Sequence, residues 1–96
     1  MKVRFLSPAA QELEDAFQWY EEQMTGLGNE FLAAIDEAVH RMITWPEAHQ
    51  TLKHPLRRCL VRRFPYGLIY GIETQTLVIV AVAHLHRKPF YWTRRV

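Results

Sequence analysis

The chain has 96 residues, 49% hydrophobic and 23% charged, the composition of a folded globular domain rather than a disordered segment. No apolar run approaches the ~18–20 residues of a membrane span, and the run within Val3–Leu6 is too short for an export signal, so one cytoplasmic domain over residues 1–96 is expected. The net charge of +2 conceals a division: residues 1–48 carry nine acids against Lys2, Arg4 and Arg41, whereas residues 49–96 carry nine Lys or Arg against Glu73 alone. Such asymmetry points to a basic working face on an acidic body, over the alternative that the signs neutralise one another in the fold.

Val3 and Phe5 alternate with Arg4, which predicts a short half-buried strand over Lys2–Leu6. Ser7 is expected to cap a helix with Pro8 at its first position. Leu13, Ala16, Phe17, Tyr20 and Met24 then follow at helical spacing as one apolar stripe, with Glu14, Asp15, Glu21 and Glu22 largely off it. Gly26-Leu27-Gly28 ends that helix, and Asn29 is expected to cap a second one over Glu30–Trp45, stopped by Pro46. Phe31, Ala34, Ile35, Ala38, Met42 and Trp45 form its stripe, widened by Leu32, Val39 and Ile43 beyond what packing on a sheet requires.

A polar loop, Glu47–Leu56, leads into three predicted strands in a meander: Arg57–Phe64, Leu68–Ile72 and Leu77–Ala83. Pro65-Tyr66-Gly67 and Glu73–Thr76 supply the turns. The unbroken apolarity of Leu77–Ala83 places that strand inside the sheet, buried on both faces. Cys59, the single cysteine, falls in a strand pattern as a small core residue and fits a reducing compartment. The expected order is β-α-α-β-β-β, an α+β fold with a helical hairpin on a mainly antiparallel four-stranded sheet.

Three constellations bear on chemistry. The cations Arg57, Arg58, Arg62, Arg63, Arg87, Lys88, Arg94 and Arg95, interleaved with Phe90, Tyr91 and Trp92, suit a phosphate backbone with unstacked bases, or an acidic protein partner. A solvated strand edge protected by charge explains them structurally. His84-Leu85-His86-Arg87 with Tyr91 has the residue types for acid–base work beside an anion stabiliser. His40, His49, His54 and Cys59 complete no ligand set, so no metal is expected, and no glycine-rich loop or nucleophile elbow implies a nucleotide cofactor or acyl transfer. Glu21 and Glu22 are adjacent on a helix and do not face each other.

Trp19-Tyr20-Glu21-Glu22, Gly26-Leu27-Gly28-x-x-Phe31-Leu32, Arg62-Arg63-Phe64-Pro65-Tyr66 with Ile69-Tyr70, Val82-x-His84 and Arg87-x-Pro89-x-Tyr91-Trp92 occur in that order. Together they resemble the RelE/ParE toxin superfamily of bacterial type II toxin–antitoxin systems. The resemblance implies a microbial-ribonuclease-like α+β fold and a cognate antitoxin. That antitoxin's acidic or amphipathic segment would cover Leu32, Val39 and Ile43 together with Arg57 and Arg58. Operator DNA would be met only through the antitoxin complex. RelE-like members cleave ribosome-bound mRNA with a basic set; carried over, its places fall on Arg58, Leu60, Gly67, Arg87 and Tyr91, two of them without a cation or phenol. ParE-like members act on DNA gyrase without catalysis, and the turn and tail look more like that branch. Its target contacts would then be Arg62, Arg63, Arg87, Tyr91, Trp92, Arg94 and Arg95.

Overall fold

A computed structural model describes residues 1–96. Two helices, α1 (Ser7–Gln23) and α2 (Leu27–Thr44), cover one face of a five-stranded sheet made of β1 (Lys2–Phe5), β2 (Gln50–Thr51), β3 (Arg57–Leu60), β4 (Tyr66–Glu73) and β5 (Thr76–His84). The strand order is β1-β5-β4-β3-β2. β1 runs parallel to β5, and all other pairings are antiparallel. β5 thus lies inside the sheet, as its apolarity requires. The additional strand is β2, whose two residues pair with Arg57 and Arg58; its residues Gln50 and Thr51 carry no apolar alternation to announce it.

The sheet separates two cores. Phe31, Ile35, Ala38 and Met42 of α2 meet Cys59, Leu68, Tyr70, Leu77, Ile79 and Val82 on the helical side. Leu56, Ile69, Val80, Ala81, Ala83 and Trp92 pack on the other. Each fully buried Leu, Ile or Val contributes about 1.5–3 kcal/mol from transfer out of water. A bulge between Ile69 and Tyr70 in the β4–β5 register leaves both Val80 and Ala81 on the side away from the helices. It thereby resets the alternation so that Val82 returns to the helical core.

The helical boundaries differ from expectation at three points. Leu6, not Ser7, occupies the cap position of α1, and no side-chain cap bond forms there. Gly26, at φ 92°, caps α2 in a left-handed conformation, so α2 starts at Leu27 and includes Gly28 and Asn29. The Glu21 carboxylate accepts from the Gly26 and Gly28 amides at 3.0 Å each, satisfying donors that the start of α2 would leave free. Gly28 is also where the helices touch, since a Cβ there would lie 2.8 Å from Phe17 Cε1.

β3 stops at Leu60 rather than Phe64 because Arg63, at φ 71°, turns the chain toward β4. The β4–β5 turn places both Thr74 (φ 44°) and Gln75 (φ 54°) in left-handed conformations, the geometry of a type I′ hairpin. At the far end of α2, the Tyr70 hydroxyl donates to Pro46 O at 2.6 Å, and burial pushes its phenol up to about 12.

Candidate functional site

The tail is organised by a residue of α1. Glu12 follows Ala9 by three positions and precedes Ala16 by four, both of them buried, so its side chain lies on the buried face of the helix. Its Oε1 accepts from the Val82 amide (3.0 Å) and Arg95 (2.8 Å). Its Oε2 accepts from the Tyr91 hydroxyl (2.6 Å), Arg95 (3.0 Å) and Arg87 (3.1 Å). Burial pushes the Glu12 carboxyl upward, but hydrogen bonds from Arg95, Tyr91 and Val82 outweigh it and hold the group below the usual carboxylate range. Burial and the bond to Glu12 raise the Tyr91 phenol, and the bond to Glu12 raises Arg95. Arg87 stacks its guanidinium 3.7 Å from the Tyr91 ring centroid. Arg95 also donates to Val80 O at 3.0 Å, tying the tail to β5.

These contacts sort the basic residues. Trp92 is 3% exposed and belongs to the core on the helix-free side. Trp92 thus pins the tail onto the sheet, and the expectation of an indole available for target contact does not fit. Arg95 and Tyr91 are likewise held by Glu12. Arg62 and Arg63, expected on opposite faces of a strand, instead occupy a turn and both reach α2, Arg62 toward Glu37 at 3.4 Å and Arg63 toward Glu30 at 2.8 Å. Arg94 and Lys88 are exposed and form no ion pair. The helices therefore neutralise some of the cations, and Arg94 and Lys88 stay outside any ion pair.

The residues expected to meet a partner on the hairpin are divided by the sheet. Leu32 and Val39 pack partly against the helical core, Ile43 is exposed, and Arg57 donates to His49 O at 2.8 Å. Arg57 alternates with the buried Cys59 on the helical side, which sends Arg58 to the opposite face. Trp45 at the end of α2 is 65% exposed. Trp19, also exposed, borders a cleft of about 260 Å³ with Glu12, Tyr66, His84 and Arg87. The His86 amide donates to His84 Nδ1 at 3.1 Å, so that nitrogen serves as an acceptor.

No group of three or more His, Cys, Asp or Glu residues is arranged to hold a metal ion, and no helix is long and apolar enough to cross a membrane. The Glu12 carboxylate, absent from the residues expected to act, is the centre of the tail. Its sequence signal is a charge at the position where the apolar stripe, extended backward through Ala9, calls for a core residue.

Residues 3–89 match the family model of the ParE toxin of the type II toxin–antitoxin system, parDE. The chain belongs to the ParE toxin family. The ParE-family fold is also similar to that of a chain of the chromosomal ParDE toxin–antitoxin system from P. aeruginosa, with a TM-score of 0.77 over 90% of this chain and 97% of that one at 16% identity. No curated protein matches the chain.

Proposed function

We propose that the chain is a cytoplasmic ParE-like toxin that arrests growth by binding and poisoning DNA gyrase and is neutralised by a cognate antitoxin. Family membership supports the toxin role. The observation that carries the binding reading over an mRNA-cleaving one is the state of Glu12. The phenol and later arginine of the ribonuclease set, Tyr91 and Arg87, are both bound to it, and the carboxylate itself accepts five hydrogen bonds. A carboxylate so occupied, with a lowered proton affinity, is a poor general base, and a phenol pushed upward in proton affinity is a poor acid. Leu60 and Gly67 leave two further places of that set without a cation.

Under this reading the exposed cations Arg62, Arg63 and Arg94, with the outer edge of Arg87, contact the target, and the tail supplies their scaffold through Tyr91, Trp92 and Arg95. The antitoxin covers α2 along Leu32, Val39 and Ile43 and reaches Arg57 or Arg58 at the sheet edge; operator DNA is met only through that complex. The test is gyrase supercoiling by purified enzyme with this chain added, beside pulse labelling of DNA and protein synthesis after induction in bacteria. Loss of supercoiling with an early fall in DNA synthesis is expected. An immediate stop in translation with cleaved ribosome-bound mRNA would replace the gyrase reading with the RelE-like one, and unchanged growth with soluble protein would leave antitoxin binding as the remaining role.

A further inference from the structure

On the sheet face away from the helices, a cavity of about 350 Å³ lies between the Lys53–Leu56 turn and the tail. Its floor is apolar: Val78 and Val80 of β5 line it with Leu56 and Trp92, and all four are buried. Gly71 of β4 puts no side chain onto that floor, where a Cβ would lie 2.9 Å from Leu56 Cδ2. The Leu56 amide donates to Lys53 O at 2.8 Å and the Arg95 amide to Trp92 O at 2.9 Å, so a closed turn forms each wall. A well of this volume and lining suits a small ligand with an apolar body. None of the places carried over from the ribonuclease set, Arg58, Leu60, Gly67, Arg87 and Tyr91, borders it.

The rim selects the head of that ligand. Lys53, His54 and Glu73 border the cavity, and all three are exposed. Arg57 faces Tyr70 in the β3–β4 register, which brings the residues before Arg57 to the same end of the sheet as Glu73. Even so, Lys53 and Glu73 form an ion pair neither with each other nor with any other residue. The mouth of an apolar well thus presents one free ammonium and one free carboxylate. An anionic ligand would meet Lys53 but face the like charge of Glu73, and a cationic one the reverse. A zwitterion answers both.

We infer that this well binds a free α-amino acid with an apolar side chain. Its carboxylate lies toward Lys53, its ammonium toward Glu73, and its side chain on Leu56, Val80 and Trp92. The ligand joins the turn before β3 to the tail, so its binding stabilises the folded chain by mass action. The inference goes beyond the toxin reading and is independent of which enzyme the toxin arrests.

Amide-resolved NMR titrations of the full chain with L-leucine and L-phenylalanine test it, beside hydrocinnamate and phenethylamine, which each lack one of the two charges, and glycine, which lacks the apolar body. The amino acids are expected to bind with a Kd on the order of a millimolar, moving the signals of Gly71, Val80 and the Trp92 indole. Hydrocinnamate and phenethylamine should bind about fivefold more weakly than phenylalanine, the worth of one exposed charge contact, and glycine should not bind. K53A should weaken phenylalanine about fivefold without weakening phenethylamine, and E73A should do so without weakening hydrocinnamate. Both variants alter exposed side chains and stay folded, whereas V78W, checked by circular dichroism, should fill the well and abolish binding. Hydrocinnamate or phenethylamine binding as tightly as phenylalanine would overturn the inference. So would amino-acid binding that survives both K53A and E73A unchanged, shifts centred away from the well, or no shift at about ten times the expected Kd.

Discussion

Arg95 and Glu12 stand 83 positions apart in the chain, yet two hydrogen bonds of 2.8 and 3.0 Å join them as a two-pronged ion pair. Arg95 is 18% and Glu12 13% exposed, so this is a largely desolvated pair and not a surface contact. Removing one member of such a pair costs about 3–5 kcal/mol, because the partner is left buried and charged. Three tail residues meet at this link, since Tyr91 and Arg87 share the same carboxylate.

A pH dependence follows. Glu12 is held below the usual carboxylate range by its donors, against the upward push of burial. The folded state therefore binds this proton less readily than the unfolded chain, and the stabilisation is complete above about pH 4.5, the group's ordinary value. It fades as pH falls through the lowered folded value. Urea titrations between pH 7 and 3 should show wild type losing stability in that acid range by more than E12Q, whose baseline is lower throughout. Parallel curves for the two proteins would contradict the role given to Glu12.

Trp92 anchors the tail by burial rather than by charge. Replacing it with alanine should cost about 3–5 kcal/mol, as for other buried large aromatics. Limited proteolysis should then cut beyond His84 in the variant and not in wild type. R94A, which alters an exposed and unpaired cation, should stay within about 0.5 kcal/mol of wild type.

The β4–β5 turn carries removable strain. Thr74 and Gln75 both adopt left-handed conformations that asparagine and glycine take more readily. The double variant T74N/Q75G should raise stability by about 1 kcal/mol, readable as a higher denaturation midpoint at an unchanged slope.

Arg62 and Arg63 separate stability from the proposed target contact. Both side chains are about two-thirds exposed or more, at 70% and 67%, and pair with half-exposed acids of α2. Solvent screening limits each pair to under about 1 kcal/mol. R62A/R63A should accordingly remain folded with a nearly unchanged midpoint while losing gyrase inhibition. Retained inhibition would remove these residues from the target surface.

The helices and the main strands were legible because their apolar periods are long: the α2 stripe and the run Leu77–Ala83 admit one arrangement each. The features that set the site were harder to read for particular reasons. β2 is two polar residues whose pairing depends on where β3 lies. The Glu21 cap crosses the inter-helix turn, a contact that no fixed helical spacing encodes. Arg62 and Arg63 looked like alternating strand positions, and the left-handed Arg63 backbone that ends the strand is unusual for a residue other than glycine. Glu12 was legible in part, as a carboxylate on an apolar stripe, but its partners come from the other end of the chain.

The parallel pairing of β1 with β5, Lys2 against Thr76, governs the order in which the molecule can assemble. The α1–α2 hairpin closes over a short connection and can form early, whereas β1 must wait for a partner most of the chain away. A pairing this distant closes a large loop, whose entropy is lost before the contact rewards it. The β1–β5 pairing thus closes the longest loop in the sheet, 74 positions from Lys2 to Thr76, and depends more than any other strand pairing on the rest of the fold being in place.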